Sequence, residues 1–265
     1  MTTNFSENTR TYKIVQISDT HLLAHENDVI LGVPTWKTFK SVMERIARET
    51  PRPDLVIATG DLAQNEPLPI YKRFQAYMHQ FDLPVSVLPG NHDDPNLLAK
   101  VFGIETDTAT AKHVNFGHTN LGNWLIIFLN TVVPGKQYGA LDARELARMD
   151  TLLSDHMDQH ALLCMHHHPT TRRNDDLVLP WLRNPDEFFS VMDRHAHVRG
   201  IICGHIHSTF EKKHGEATIF GTPSTCFQFN FALEQLSPKD SPPAYRRLML
   251  KPDGAIESDV IPVLF

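Results

Sequence analysis

Short apolar runs, each stopped by glycine or by a polar residue, are the feature that most constrains the fold of this 265-residue chain. Runs of this length, rich in aliphatic and β-branched residues, are typical of strands buried on both faces. The predicted buried strands are YKIVQIS (12–18), DLVIATG (54–60), PVSVLPG (84–90), WLIIFLN (124–130), ALLCM (161–165) and VRGIICG (198–204). Shorter strands, STFEKK and ATIF, and a terminal hairpin around KPDGAI follow them.

Amphipathic segments separate the apolar runs. We expect Thr35 to cap a helix, because apolar residues recur after it at helical spacing: Trp36, Phe39, Val42, Met43 and Ile46. Further helices are predicted over IYKRFQAYMHQF (70–81), from Asp142 with Glu145 as a capping box, and from Asn184 with Pro185 and Glu187. Strands that alternate with helices predict an α/β fold whose first three strands pair in parallel.

Carboxylate, amide and imidazole side chains directly follow five of the predicted strands. These groups are SDTH (Asp19, His21), GDLAQ (Asp61), GNHDD (Asn91, His92, Asp93), MHHHP (His166, His167, His168) and CGHIH (His205, His207). Each group alone is also typical of a turn or of a polar surface. The carboxyl ends of parallel strands lie along one edge of a sheet, where ligands bind, so the five groups together predict one site.

The residue types in these groups indicate a transition-metal centre. Neutral imidazoles and hard oxygen ligands without thiolates suit Zn, Mn or Fe, whereas Ca²⁺ prefers oxygen alone. In an extended segment, the Asp-x-His and His-x-His spacings each place two donors on one face. Seven donors are too many for one four-coordinate ion, which favours two metals about 3.5 to 4 Å apart with a shared carboxylate. The donors are Asp19, His21, Asp61, Asn91, His166, His205 and His207.

Three consecutive histidines in ALLCMHHHPT raise the question of which one serves the site. If the segment is extended, His166 and His168 share a face and His167 lies on the other, so at most two of them converge. A polar end to a strand is the alternative interpretation of the same residues.

The ordered motifs D-x-H, G-D, G-N-H-D, a histidine after a strand, and G-H-x-H resemble the calcineurin-like metallophosphoesterase superfamily from Asp19 to His207. The segments LGVPTW, ATGDLAQ, LPGNHD, CGHIH and TPSTCFQF are similar to those of bacterial class III 3',5'-cyclic AMP phosphodiesterases. The resemblance implies a four-layer α/β/β/α sandwich of two mixed sheets.

The same resemblance implies a role for each donor. One metal would be held by Asp19, His21 and His207, the other by Asn91, His166 and His205, and Asp61 would bridge the two. It makes His166 the ligand of the triple-histidine segment. His167 is expected to turn away, and His168 to curl out towards the substrate with a minor role.

The implied activity is hydrolysis of 3',5'-cyclic AMP to 5'-AMP by in-line attack of a metal-bridging hydroxide, with Fe, Mn or Zn as cofactors. His92 is the candidate acid for the ribose 3'-oxygen, and Asn91, His92 and His207 are candidate substrate contacts. Asp93 either orients the His92 ring or shapes the turn. Thr225 and Phe227 could border a nucleotide base, although packing in the core is the preferred interpretation for both.

Two other function classes stay open. The chain could act on other phosphodiesters, such as glycerophosphodiesters or 2',3'-cyclic nucleotides, or on phosphomonoesters. It could also be a non-catalytic scaffold on the same fold, but the complete set of donors argues against that hypothesis.

Charge and hydropathy exclude several partners. A net charge of −6 without a dense Lys/Arg run disfavours nucleic acid, and no apolar run reaches the roughly 18 to 20 residues of a membrane span. We therefore expect a cytoplasmic protein with a small-molecule substrate, made of a flexible tail (1–11) and a single domain (12–265). The three cysteines lack C-x-x-C spacing and are predicted to be buried thiols. The oligomeric state is left open.

Overall fold

Two mixed β-sheets lie face to face, with helices on their outer surfaces. The structure is a computed structural model that describes residues 9–65, 67–104, 114, 116–170, 181–229, 238–239 and 241–264. Its strands are β1 (Tyr12–Ile17), β2 (Leu55–Thr59), β3 (Val85–Leu88), β4 (His118–Leu121), β5 (Trp124–Phe128), β6 (His160–Met165), β7 (Val198–Cys203), β8 (Phe210–His214), β9 (Ala217–Gly221), β10 (Gln228–Phe229), β11 (Pro238–Lys239), β12 (Ala244–Leu250) and β13 (Ile256–Pro262).

The helices are α1 (Thr35–Ala47), α2 (Pro67–Met78), α3 (Pro95–Phe102), α4 (Ala143–Asp155) and α5 (Pro185–Met192). A short 3₁₀ turn, His79–Phe81, extends α2 to the predicted end of that segment. Helix α3 was not predicted from the sequence, although Asp94 caps it by accepting from the amides of Asn96 and Leu97. None of the described helices is long and apolar enough to cross a membrane.

The first sheet has the order β13-β12-β1-β2-β3. Strands β1, β2 and β3 pair in parallel, as predicted, with Val15 opposite Val56 and Val56 opposite Val85. The terminal hairpin β12–β13 adds to the edge of β1 in the antiparallel direction. The second sheet has the order β4-β5-β6-β7-β9-β8, in which β5, β6, β7 and β9 are parallel.

Side-chain alternation in the second sheet separates two apolar cores. Ile126, Leu162 and Ile202 pack in the core that includes the first sheet. Their neighbours Leu125 and Leu163 pack instead with α4 and α5. Because helices α1, α2 and α3 cover the other face of the first sheet, the architecture is the expected α/β/β/α sandwich.

Two of the three predicted helix caps differ in detail. Helix α1 begins at Thr35 itself with Pro34 as its N-cap, so the prediction that Thr35 caps this helix is wrong. Asn184 stands at the N-cap of α5, but its side chain exchanges two hydrogen bonds with the backbone of Leu141 instead of capping the helix. Asp142 caps α4 as predicted, accepting from the amide of Glu145 at 2.8 Å.

All three cysteines are buried and unpaired in the described structure. Burial raises the pKa of each thiol above its ordinary value. They serve as small apolar side chains, which confirms the interpretation from the sequence.

Candidate metal centre

The ends of β1, β2 and β3 in the first sheet meet those of β6 and β7 in the second. Backbone hydrogen bonds tie neighbouring loops together, from Asp19 N to Gly60 O at 3.0 Å and from His21 N to Asp61 O at 2.9 Å. Gly204 N donates to His166 O at 3.1 Å in the second sheet. Across the sheets, the His205 amide donates to Asp19 Oδ1 at 3.1 Å. The five polar groups therefore converge as expected, but on a rim formed by two sheets and not along one edge of a single sheet.

A left-handed backbone conformation marks this rim. Seven described non-glycine residues have positive φ, and five of them are predicted donors: Asp19, His21, Asp61, His205 and His207. Residues other than glycine rarely adopt this conformation, and such strain concentrates at functional sites. The Asp-x-His and His-x-His pairs thus converge through sharp turns, and the expectation that they share one face of an extended strand is wrong.

Two glycines leave room for the carboxylates. A Cβ atom at Gly90 would lie 2.1 Å from Asp61 Oδ1, and one at Gly204 would lie 2.9 Å from Asp19 Oδ2 and 2.0 Å from Ser18 Oγ. The glycines of the G-N-H-D and G-H-x-H motifs are therefore required for close packing around the site.

The first group of donors consists of Asp19, His21 and His207, whose ligand atoms lie within 4.8 Å of one another. His21 Nε2 lies 3.1 Å from His207 Nε2, which in turn lies 3.4 Å from Asp19 Oδ1. All three side chains are buried.

Hydrogen bonds fix the tautomers of these two histidines. His21 Nδ1 donates to Gln64 Oε1 and His207 Nδ1 donates to the Phe227 carbonyl, each at 2.7 Å. In the neutral rings the two Nε2 atoms therefore carry lone pairs, which cannot hydrogen-bond to each other at 3.1 Å. Because a cation between them would be held by both, this geometry fits a metal ion.

The second group is built around His166. Its Nδ1 donates to the Thr59 carbonyl at 2.7 Å, and its Nε2 lies 3.2 Å from Asn91 Oδ1. His205 Nε2 is buried and has no hydrogen-bond partner among the described residues. An orphaned imidazole nitrogen beside a fixed one is the arrangement that a second metal ion would satisfy.

Asp61 lies between the two groups. Its Oδ2 is 3.8 Å from His21 Nε2 and 3.4 Å from His166 Nε2, while Oδ1 accepts from the His92 amide at 2.9 Å. This position suits a carboxylate that bridges two ions. We call the seven residues Asp19, His21, Asp61, Asn91, His166, His205 and His207 the donor cluster.

The electrostatics of the donor cluster favour bound positive charge. Burial alone would raise the pKa of Asp61, but His166 and His21 outweigh it and hold the pKa well below its usual value. Burial opposes a charge on His166, yet Asp61 raises the pKa of that ring to about 9. Burial lowers the pKa of His21 to about 4. Burial and the neighbouring His167 lower the pKa of His205 well below its usual value. Metals bind the ionised carboxylates and neutral imidazoles, so a cation beside Asp61 would take the place of the proton that this carboxylate favours on His166.

Strand β6 ends at Met165, and the chain bends at His166 and His167, so the triple-histidine segment is not extended. His167 does not turn away as predicted, since its ring centroid lies 4.8 Å from that of His205. Both of its nitrogens are nevertheless engaged, Nδ1 with Thr131 Oγ1 at 2.7 Å and Nε2 with the Gln137 carbonyl at 3.2 Å. His166 is therefore better placed than His167 to bind a metal.

His168 does not curl out towards a substrate, so that prediction is wrong. It is buried, and its ring lies 5.9 Å from the ring of His205 and 6.2 Å from that of Phe210. Burial lowers its pKa to about 3. Its backbone is held in place by Leu182 N, which donates to the His168 carbonyl at 3.2 Å.

The neighbouring side chains of His92 and Asp93 have different surroundings and different roles. His92 is exposed at the rim, with its ring centroid 5.0 Å from that of His21. The buried carboxylate of Asp93 accepts from the amides of Leu62 and Gly90 and from the Tyr71 hydroxyl. None of the described hydrogen bonds joins it to the His92 ring, so the structure favours the turn-shaping alternative for Asp93.

A cleft of about 340 Å³ opens over the donor cluster. Besides donors and His92, its lining includes apolar and amide side chains that were not among the predicted site residues, namely Ile30, Leu31, Gln64, Gln137 and Phe229. Leu31, Gln64 and Phe229 nevertheless belong to the segments LGVPTW, ATGDLAQ and TPSTCFQF. Phe227 lines the cleft as well, so core packing is an incomplete account of this residue. Thr225 is buried, and its hydroxyl donates to the Ser18 carbonyl.

A chain of buried hydrogen bonds joins the two sheets behind the donor cluster. Arg246 Nε donates to Thr222 Oγ1 at 3.2 Å, and that hydroxyl donates to Gln16 Oε1 at 2.6 Å. Gln16 Nε2 donates to Thr59 Oγ1 at 2.9 Å, and the Thr59 carbonyl orients His166. Sequence reasoning missed these residues because each lies in or beside an apolar strand, where nothing in the pattern sets it apart.

Comparison with known proteins agrees with this geometry. A family model described as calcineurin-like phosphoesterase matches residues 12–209, more than half of the chain. A 3',5'-cyclic adenosine monophosphate phosphodiesterase, CpdA of Escherichia coli (strain K12), is 34% identical over 94% of this chain and 88% of its own length. The protein of the same name from Pseudomonas aeruginosa is 32% identical over 93% of this chain and 88% of its own length.

Among solved structures, a dimetal phosphatase from Danio rerio matches with a TM-score of 0.67 at 15% sequence identity. The match covers 96% of this chain and 99% of that one. At this identity the likeness concerns the fold, and it agrees with the two-sheet architecture described above.

Proposed function

The chain belongs to the calcineurin-like phosphoesterase family, and from this premise we propose that it hydrolyses 3',5'-cyclic AMP to 5'-AMP at a centre of two transition-metal ions. The observation that carries the proposal is the donor cluster, in which Asp61 lies between two groups of buried histidines. The relatives named as cyclic AMP phosphodiesterases support the choice of substrate.

In this proposal Asp19, His21 and His207 hold one ion, and Asn91, His166 and His205 hold the other, with Asp61 shared. The ions would be Fe, Mn or Zn, which accept mixed imidazole and carboxylate ligands. When bound, two such ions supply hydroxide at neutral pH and neutralise charge on the phosphoryl oxygens. Gln64, Thr59 and Phe227 accept the Nδ1 protons of His21, His166 and His207, respectively, which leaves the Nε2 atom of each ring to bind a metal.

The leaving oxygen needs a proton, because the ribose 3'-alkoxide is a poor leaving group. We assign that step to His92, whose imidazole N–H transfers its proton to the 3'-oxygen as the phosphorus–oxygen bond breaks. The His92 amide donates to Asp61 Oδ1, and this bond fixes the backbone beside the shared carboxylate. Asn91 and His207, which line the same cleft, are further proposed contacts to the phosphate.

A substrate panel tests the proposal. The purified protein, stripped with a chelator and reloaded with Mn²⁺, is assayed on 3',5'-cyclic AMP, 2',3'-cyclic AMP, glycerophosphocholine and 4-nitrophenyl phosphate. We expect the highest kcat/KM on 3',5'-cyclic AMP, with 5'-AMP and not 3'-AMP as the product. A higher kcat/KM on another member of the panel would replace the proposed substrate, and equal activity after stripping would remove the metals from the mechanism.

A further inference from the structure

The loop between β1 and α1 exposes two large apolar side chains near the donor cluster. The exposed fraction is 55% for Val29 and 63% for Leu31. Leu31 also has a φ of 50°, a conformation that costs a non-glycine residue free energy. Two backbone hydrogen bonds between Ile30 and Val33 hold the loop in this shape. An exposed apolar side chain kept in a strained conformation suggests that it meets a ligand.

Leu31 lines the cleft, and so does an aromatic wall formed by Phe227 and Phe229. The Phe229 ring stacks on the ring of His207, with centroids 4.4 Å apart at an interplanar angle of 28°. The Phe227 ring stacks on that of His21 at 5.7 Å and 27°. The aromatic wall therefore begins directly at the histidines of the first donor group.

We propose that Leu31 and the aromatic wall bind the purine base of the nucleotide whose phosphate lies at the donor cluster. This inference rests on the proposed function and adds to it the residues that select a nucleotide. A purine offers flat, weakly polar faces, which stack on aromatic rings and pack against aliphatic side chains. The cleft has about 340 Å³, within the usual range for small-ligand sites, and its apolar part is continuous with the donors.

The key variant is Leu31→Asn, because asparagine tolerates positive φ and removes the apolar contact without adding backbone strain. Val29→Asn is the matched control, since it makes a similar change in the same loop at a residue outside the described lining of the cleft. Both variants and the wild type, loaded with Mn²⁺, are assayed on 3',5'-cyclic AMP and on the base-free 1-deoxyribose 3',5'-cyclic phosphate.

We expect Leu31→Asn to raise KM for cyclic AMP roughly three- to tenfold through the lost apolar contact and to leave KM for the base-free substrate unchanged. Val29→Asn should leave both values unchanged. An equal rise on both substrates, or no rise on either, would overturn the assignment of the base to Leu31.

A binding experiment separates this proposal from the proposed function. Calorimetry compares 5'-AMP with ribose 5-phosphate on the same Mn²⁺-loaded proteins, and it requires no turnover. If the wild type hydrolyses neither cyclic phosphate, the proposed function fails. Weaker binding of 5'-AMP, but not of ribose 5-phosphate, to Leu31→Asn would then still support the base site, and equal binding by the two proteins would contradict it.

Discussion

The two ends of strand β1 bury charge in opposite ways. At its start, Lys13 Nζ lies 3.0 Å from Glu49 Oε2, and the Tyr245 hydroxyl donates to Glu49 Oε1 at 2.5 Å. Arg247 lies 3.6 Å from the same carboxylate. Beyond its end, Asp19 and Asp61 face only imidazoles as ion-pair partners in the part of the chain that the structure describes.

The two regions differ in the source of the positive charge that balances their buried carboxylates. The Glu49 cluster, formed by Lys13, Glu49, Tyr245 and Arg247, balances its carboxylate with the protein's own cations and is a structural element. In the donor cluster the carboxylates face only imidazoles, so the positive charge that balances them comes from solution, as a proton on His166 or as metal ions. Changes at the Glu49 cluster should therefore affect stability, and changes at the donor cluster should affect metal content and activity.

The largest effect is expected for Asp61→Asn. Loss of the shared charge should remove metal from both positions and lower kcat/KM on cyclic AMP by about 10⁴-fold or more, because both the hydroxide and the charge stabilisation depend on the ions. Elemental analysis and initial rates on the same samples measure this. His21→Ala should chiefly weaken the binding of one of the two metal ions.

Asp82→Asn is the matched control, because Asp82 has a similar φ of 48° and lies outside the donor cluster with an exposed side chain. It should change neither metal content nor rate. Full metal content and full activity in Asp61→Asn would contradict the bridging role.

The next effect concerns His92→Ala. This variant should keep its metals and lose roughly 10² to 10⁴ in rate on cyclic AMP, the usual contribution of a general acid. On bis(4-nitrophenyl) phosphate, whose phenolate leaves without protonation, its rate should stay near that of the wild type. Equal losses on both substrates would show that His92 is not the general acid. The control is His79→Ala, which removes an exposed histidine elsewhere in the chain.

A smaller effect is expected at the Glu49 cluster. Glu49→Gln leaves Lys13 without its buried anionic partner and should lower the free energy of unfolding by about 2 to 4 kcal/mol, with kcat unchanged in the folded protein. Urea unfolding measures it. The exposed pair Glu44–Arg48 offers the control, because Glu44→Gln should cost less than about 0.5 kcal/mol. A drop in kcat for Glu49→Gln would contradict the assignment of stability to the Glu49 cluster and of activity to the donor cluster.

The smallest effect is the acid sensitivity of the Glu49 cluster. Burial would raise the pKa of Glu49, but Tyr245 and Lys13 outweigh it and hold the pKa below its ordinary value of 4.5. The stabilisation is therefore present above that value and is lost as the pH falls through the lower pKa of the folded state. The stability difference between wild type and Glu49→Gln should shrink over this range, and a difference that grows on acidification would contradict the assignment.

The sequence by itself determined the sandwich's parallel strands and the convergence of the polar groups. Apolar runs must be buried, and the ends of parallel strands share an edge, so Asp19 and Asp61 could be brought together without any coordinates. His205 follows a strand of the second sheet, and its place beside them depends on how the two sheets pack. The short helix α3 escaped prediction, although Asp94 and Pro95 are typical of a helix start, because eight residues give too few turns for a clear period.

Only the tertiary structure decided which nitrogen atoms face the cleft and what surrounds them. The partner that orients His166 is the carbonyl of Thr59, 107 positions away, and His167 is engaged by Thr131 and Gln137. Tautomers, the left-handed turns and the place of Leu31 beside the aromatic wall all depend on contacts between distant segments. Local patterns carry no information on such contacts, because the apolar, amide and hydroxyl residues that make them occur equally in cores, turns and surfaces.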